Sequence, residues 1–113
     1  MTVTIYYNPS CSKCRTTLAL LEEKGADPEI VEYLSTPPDA ATLKGILEML
    51  GIGPRGLLRK KEAAEAGLDD ASLDGDALIA AMVANPAVIE RPIVVADGKA
   101  RIGRPPENVL DIL

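Results

Sequence analysis

Two cysteines near the start of the chain, Cys11 and Cys14, are the residues best suited to chemistry. They follow a predicted strand and turn and lie at the first residues of a predicted helix, where main-chain N–H groups and the helix dipole favour negative charge. Lys13 and Arg15 add positive charge nearby. Because such surroundings lower the pKa of a thiol, we expect Cys11 to be a nucleophilic thiolate near neutral pH.

The two cysteines have the C-x-x-C spacing, which in a strand–helix–strand context is typical of thioredoxin-like redox chemistry, with Cys14 as a candidate resolving thiol. Cys14 falls one turn inside the helix, where a small buried apolar residue explains it equally well. A buried apolar role is a weaker explanation for Cys11, because we expect the N-terminal end of a helix to be exposed. A zinc site fits poorly, since two cysteines in a chain without histidine leave a tetrahedral site half empty.

Three arginines at the ends of predicted elements form the second group of candidates: Arg59, Arg91 and Arg104. The guanidinium fork binds tetrahedral oxyanions through paired hydrogen bonds, and a rigid scaffold can orient such groups into one pocket. Taken singly, each arginine is more often a solvated surface residue. Spacing alone does not show that the three converge on Cys11.

Composition and charge exclude several classes of protein. The chain has 113 residues, the length of one ordinary domain, so we predict a single domain over residues 1–113. Its formal net charge of −5 disfavours nucleic acid as the main partner. No apolar run approaches the ~20 residues of a membrane span, and no signal-peptide pattern is visible, so we expect a cytoplasmic protein without a membrane partner. Without histidine, the commonest metal ligand is missing and we expect no metal.

Hydrophobic patterning predicts the elements that position these residues. Alternation over 2–7 indicates a strand, residues 11–24 form a helix that ends near Gly25, and residues 29–34 form a second strand. A helix of that length allows a crossover connection, so the two strands should be parallel.

A helical segment is predicted from about 37 to 86. Thr36 can cap its first helix, Pro37 suits the first helical position, and Asp39 favours the positive end of the dipole. One or two short helices are predicted over 54–66, and another helix is predicted over 74–85. We interpret the whole segment as an insertion that packs against the same core.

The chain then returns to strands, over 92–96 and 99–103. Asp97 and Gly98 between them predict a hairpin turn, because both residue types tolerate positive φ. Pro105 and Pro106 open a short terminal helix. The order of elements predicts an α/β protein, in which βαβ and ββα halves share a mixed sheet and the helical insertion lies between them.

Five blocks of the sequence closely resemble the glutaredoxin-coupled arsenate reductases, in the same order and at matching separations over essentially the whole chain. The blocks are Asn8-Pro9-Ser10-Cys11-Ser12-Lys13-Cys14-Arg15, Tyr33-Leu34-Ser35-Thr36-Pro37-Pro38, Leu57-Leu58-Arg59-Lys60, Arg91-Pro92-Ile93-Val94-Val95 and Arg104-Pro105-Pro106-Glu107. The resemblance implies a thioredoxin-like fold with a helical insertion.

The resemblance also implies a function and a site. Cys11 would be the nucleophile, and Arg91-Pro92 would be a cis peptide bond. Three arginines would bind the oxyanion: Arg59, Arg91 and Arg104. Arsenate would be reduced to arsenite by attack of the Cys11 thiolate on As(V), with electrons from glutathione and glutaredoxin and with no bound cofactor.

Two positions depart from the family pattern. Tyr7 stands where well-studied members have a histidine that is thought to help hold the thiolate, so that task would fall to the helix N-terminus and the arginines. Cys14 stands where many members have serine. It makes an internal disulfide with Cys11 conceivable, in place of a glutathione step or in competition with it.

Two other functions stay open on the sequence. Spx-type regulators, which bind RNA polymerase, are similar in fold, carry C-x-x-C at the same place and match around Arg59 and Arg91. They generally lack an arginine equivalent to Arg104, which favours the reductase. The other function is that of a thiol–disulfide oxidoreductase of the same fold, in which Cys11 attacks and Cys14 resolves.

Overall fold

The computed structural model describes residues 2–113, and its first part is a strand–helix–strand unit. β1 (Val3–Tyr7) leads into α1 (Ser12–Glu23), and β2 (Glu29–Glu32) follows. β1 and β2 pair in parallel, which confirms the predicted crossover. The helix ends as predicted, because Gly25 takes a φ of 80° that side chains with a Cβ rarely adopt.

The last part of the chain is a hairpin followed by a short helix. β3 (Ile93–Ala96) and β4 (Lys99–Ile102) pair antiparallel, and the turn residues Asp97 and Gly98 have φ values of 51° and 75°. The predicted hairpin is therefore confirmed, with the left-handed conformation at both turn positions. The terminal helix, Pro106–Ile112, is present as a 3-10 helix.

The four strands form one mixed sheet in the order β2-β1-β3-β4, with β1 parallel to β2 and antiparallel to β3. One face of β1 and β3 packs against α1 and the terminal 3-10 helix to form the hydrophobic core of this sheet. Its buried residues are Val3, Ile5, Leu21, Val94, Ala96, Val109 and Ile112. The predicted α/β class and mixed sheet are confirmed.

Residues 37–90 form a second compact unit, separate in its packing from the unit made of residues up to 36 and from 91 onward. Its helices are α2 (Ala40–Leu50), α3 (Lys60–Glu65) and α4 (Gly75–Ala84), with 3-10 turns at Pro54–Leu57 and Pro86–Val88. Its buried residues include Leu43, Ile46, Leu47, Leu57, Leu78 and Met82. The prediction of a single domain with an insertion at about 37–86 stays a prediction.

No helix within residues 2–113 is both long and apolar enough to cross a membrane.

The start of α2 differs from the prediction. The N-cap is Asp39, whose side chain accepts a hydrogen bond from the Thr42 N–H at 2.8 Å, and not Thr36. The reason is the proline pair, because Pro38 disfavours helical backbone at Pro37, so Pro37 is not the first helical residue and Thr36 is not the cap. Asp39 then satisfies an N–H group at the open helix end.

Gly103 marks a close approach between β4 and α1. A Cβ at this position would lie 2.6 Å from the Thr17 Oγ1 and 2.8 Å from the Pro92 Cγ. Thr17 is fully buried and the proline ring is stiff, so neither group has free space to move into. Only glycine therefore fits between the helix and the residue that precedes β3.

We predict that Gly103→Ala lowers the free energy of unfolding by about 1–3 kcal/mol through overpacking. Gly45→Ala is the matched control, because a Cβ there meets nothing within 4 Å in α2. That change should raise stability by about 0.5–1 kcal/mol. Urea denaturation of both variants measures the difference, and a Gly103→Ala protein as stable as the unmodified chain would contradict the close approach.

Candidate functional site

Four residues from neighbouring strands line up at one end of the sheet. The pairing registers are fixed between β2 and β1, between β1 and β3, and between β3 and β4. When these registers are continued past the strand ends, one residue from each of the four chain segments falls in a single row. The Gly103 N–H donates to the Pro92 carbonyl at 2.9 Å, so the pairing of β3 with β4 does continue in this direction. We call these four residues the polar row: Tyr33, Asn8, Arg91 and Arg104.

Cys11 lies beside the polar row, at the N-cap position of α1. Its N–H donates to the Asn8 carbonyl at 3.0 Å, and its own carbonyl accepts the Arg15 N–H at 3.1 Å as the first bond of the helix. The turn at Asn8-Pro9-Ser10 therefore brings the sulfur to the end of the helix where N–H groups have no partner within the helix. The expectation that Cys11 is exposed is wrong, because only 7% of the residue is accessible.

Two arginines of the polar row reach the sulfur. The Arg104 Nη2 lies 3.6 Å from the Cys11 Sγ, within range of a hydrogen bond to sulfur. The Arg104 Nε donates to the Arg91 carbonyl at 2.8 Å, which fixes the guanidinium plane. The Arg91 guanidinium also donates to the Cys11 sulfur. Arg91-Pro92 is a cis peptide bond, as the resemblance implied, and Arg104-Pro105 is cis as well.

The pKa of the Cys11 thiol is lowered from 9.0 to about 7. Burial acts against this shift, because it disfavours the charged sulfur. The main-chain N–H groups of Cys14 and Lys13, the Arg91 guanidinium and the Cys14 thiol outweigh burial together, since each donates toward the sulfur. The Cys11 thiol therefore ionises far more readily than an ordinary cysteine near neutral pH.

Cys14 has the opposite character. It is completely buried, and burial raises the pKa of its thiol to about 12, with a contribution from the hydrogen bond to Cys11 and from the charge of that sulfur. The Asn8 N–H acts in the other direction without reversing the shift. Both cysteines are free thiols. Cys14 is therefore a neutral hydrogen-bond donor to Cys11 while the latter is a thiolate.

The other sequence candidates near Cys11 are placed differently. Arg15 is exposed, and its Nη1 donates to the Pro9 carbonyl at 2.8 Å, so it braces the turn that precedes the helix. Tyr7, at the position of the family histidine, packs against the apolar core of the sheet. Tyr7 therefore does not take over the task of the histidine, and the thiolate is stabilised by the helix N–H groups, Cys14 and the arginines.

Arg59 belongs to the unit of residues 37–90, where it precedes α3. Its Nε lies 2.9 Å from a Glu62 oxygen and its Nη1 lies 2.6 Å from a Glu90 oxygen. Glu90 reaches it because Leu58 and Ile89 form an antiparallel bridge. Burial would lower the pKa of Arg59, but the two carboxylates raise it, so the side chain is a fixed cation. The role that the resemblance implies for Arg59 stays a prediction.

Sequence reasoning missed three buried polar residues of this region: Asn8, Thr17 and Tyr33. Asn8 accepts the Ser10 N–H through its Oδ1 at 2.9 Å and thereby shapes the turn before Cys11. Thr17 could have been recognised, because it lies three residues after Cys14, beside the helix stripe that the structure buries. Tyr33 has no such local signal, since only the pairing of β2 with β1 brings it beside Asn8.

The arrangement can bind and attack an anion. A thiolate lies at a helix N-terminus beside two guanidinium groups, which can neutralise both the sulfur and an incoming oxyanion. Within residues 2–113, no group of three or more His, Cys, Asp or Glu side chains is placed to hold a metal ion. Sheet, helix and sulfur together define a thioredoxin-like protein with a cysteine beside two arginines at a helix N-terminus.

Comparison with known proteins identifies the family. The ArsC family profile matches residues 6–112. The chain is 60% identical over 114 residues to the Escherichia coli (strain K12) "Uncharacterized protein YfgD", covering 98% of this chain and 96% of that protein. It is 50% identical over 114 residues to an arsenate reductase of Neisseria meningitidis, covering 98% and 97%. The structure of an arsenate reductase from Vibrio cholerae superposes with a TM-score of 0.95 at 52% identity, covering 100% of this chain and 98% of that one.

The chain therefore belongs to the ArsC family and has its thioredoxin-like fold, which confirms the resemblance and the fold class predicted from the sequence.

We predict that alkylation of Cys11 by iodoacetamide reaches half of its maximal rate near pH 7, and that Arg91→Gln moves this midpoint to higher pH, because a donor to the thiolate is lost. Mass spectrometry of the labelled protein should find the label on Cys11 and none on Cys14. Arg101→Gln is the matched control, since this arginine pairs with Asp111 at 3.0 Å in the same unit. Equal shifts in both arginine variants would contradict a specific role of Arg91.

Proposed function

We propose that this chain is an arsenate reductase, which reduces arsenate to arsenite through the Cys11 thiolate. The observation that supports this most directly is the Arg104 guanidinium, 3.6 Å from a cysteine sulfur whose pKa is lowered to about 7. An anionic nucleophile and an anionic substrate repel each other, and at low effective dielectric their approach would cost several kcal/mol without local cations. Arg91 and Arg104 supply such cations.

The oxyanion is bound by arginine. Two guanidinium groups offer planar, paired donors that match the oxygens of a tetrahedral anion, and their charge does not change over the working pH range. Arg59 is proposed as the third arginine, on the ground of the resemblance and of its position in the Leu57-Leu58-Arg59-Lys60 block. Its pairs with Glu62 and Glu90 hold the guanidinium in one orientation.

The covalent step forms a sulfur–arsenic bond. The Cys11 thiolate attacks As(V), and one arsenate oxygen leaves as water after protonation. Glutathione thiolate then attacks the Cys11 sulfur of this adduct, the sulfur–arsenic bond breaks, and its electron pair remains on arsenic as arsenite. Arsenic thus gains two electrons, while Cys11 and glutathione are oxidised to a mixed disulfide.

The mixed disulfide is resolved by thiol exchange. The glutaredoxin thiolate takes the glutathione sulfur and releases the Cys11 thiolate, so the cycle needs no bound cofactor. We place the reaction in the cytoplasm, where these thiols are kept reduced. Cys14 is proposed as a donor to the Cys11 thiolate in the resting protein, because its raised pKa leaves little thiolate to attack with.

We predict that the purified protein oxidises NADPH when arsenate, glutathione, glutaredoxin and glutathione reductase are all present, and that Cys11→Ser abolishes this activity. Arg104→Ala should lower kcat/KM for arsenate on the order of 100-fold, because a donor to the oxyanion is lost. Arg59→Ala should act in the same direction. Arg101→Ala, an exposed arginine on β4, is the control and should retain full activity.

Two results would contradict this proposal, and a third would change the role of an arginine. Turnover with thioredoxin and not with glutaredoxin, together with its loss in Cys14→Ser, would establish an internal disulfide and a different electron donor. Stable binding to the RNA polymerase α subunit without arsenate turnover would favour the regulator function. Loss of thermal stability that matches the loss of activity in an arginine variant would assign that residue a structural role.

A further inference from the structure

Tyr33 is the member of the polar row that the proposed reaction does not use. It follows β2, and the register with β1 places it next to Asn8, whose other neighbour in the row is Arg91. The residue is 2% exposed, and its phenol oxygen is shielded from solvent. A substrate that enters from solvent therefore does not reach this oxygen directly, so any influence of the phenol must pass through its neighbours.

The neighbours of the phenol oxygen are parts of the site. The positive charge of the Arg91 guanidinium acts on it, and the polar side chain of Asn8 is close to it. Burial raises the pKa of Tyr33, so the phenol is neutral and presents its oxygen as a dipole toward Arg91. Arg91 is in turn a donor to the Cys11 sulfur.

The phenol oxygen contributes little to holding the fold together. Within residues 2–113 it has no partner that meets hydrogen-bond geometry, although it is completely buried, so its interaction with Arg91 is electrostatic. A buried polar group in this state is unfavourable for folding relative to one with a hydrogen-bond partner. Stability of the fold therefore does not explain a tyrosine here, because phenylalanine would fill the same space without the buried oxygen.

We propose that Tyr33 is a positioning residue, which holds the Arg91 guanidinium in the orientation that donates to the Cys11 sulfur and receives the oxyanion. The part that concerns the oxyanion rests on the proposed function. The part that concerns the sulfur does not, because the reactivity of Cys11 is measurable without any substrate. Tyr33 acts through Arg91 and does not touch the reacting atoms.

The test is Tyr33→Phe, which removes only the oxygen. We expect the midpoint of the pH profile of Cys11 alkylation to move to higher pH, because Arg91 is no longer fixed beside the sulfur. With arsenate as substrate, kcat/KM should fall on the order of tenfold, mostly through a higher KM. The melting temperature should be unchanged or higher. A merely structural role would move the melting temperature and leave the alkylation midpoint unchanged.

Tyr7→Phe is the matched control, because this tyrosine precedes Asn8 but packs against the apolar core. It should leave both the alkylation midpoint and the kinetics unchanged. An unchanged midpoint in Tyr33→Phe, an equal shift in both variants, or a loss of activity that follows a loss of melting temperature would each overturn the proposal. If the unmodified protein does not reduce arsenate, the proposed function fails, and the alkylation midpoints alone decide the role of Tyr33.

Discussion

The stability of one negative charge on a nearly buried sulfur is the constraint on which the site depends. Only 7% of Cys11 is accessible, and burial by itself makes its thiolate unfavourable. The charge is sustained because the N-terminus of α1 and the Arg91 side chain donate to the sulfur at the same time, with Arg104 beside it. The fold meets this requirement by ending β1 at Tyr7, so that the turn at Asn8-Pro9-Ser10 delivers Cys11 to the start of the helix and the sheet places its arginines beside it.

The chain has no histidine, and this shapes how the site responds to pH. A histidine near the thiolate would change its own charge near neutrality, whereas a guanidinium keeps its charge throughout. The ionisation of the sulfur is therefore the principal titration at the site near neutrality. Tyr7, which stands at the family's histidine position, belongs to the apolar core and supplies no charge.

The two cysteines of the C-x-x-C motif differ in how readily they ionise. Three residues apart in sequence, they have pKa values of about 7 and about 12, because one faces the helix N-terminus and the other is sealed inside the first turn. The Cys14 thiol donates a hydrogen bond to the Cys11 thiolate and stays neutral itself. In the resting protein Cys14 therefore stays a neutral thiol beside the Cys11 thiolate.

Local sequence determined the strand alternation of β1, the left-handed turn at Asp97 and Gly98, and the position of Cys11 at a helix start, because each depends on backbone preferences within a few residues. The start of α2 was misjudged where two local signals competed, and the proline pair prevailed. The burial of Cys11 and the meeting of its sulfur with Arg104 were decided by the tertiary structure alone. Residues 93 positions apart in sequence are brought together by the pairing registers of β1, β3 and β4, and no local pattern encodes those registers.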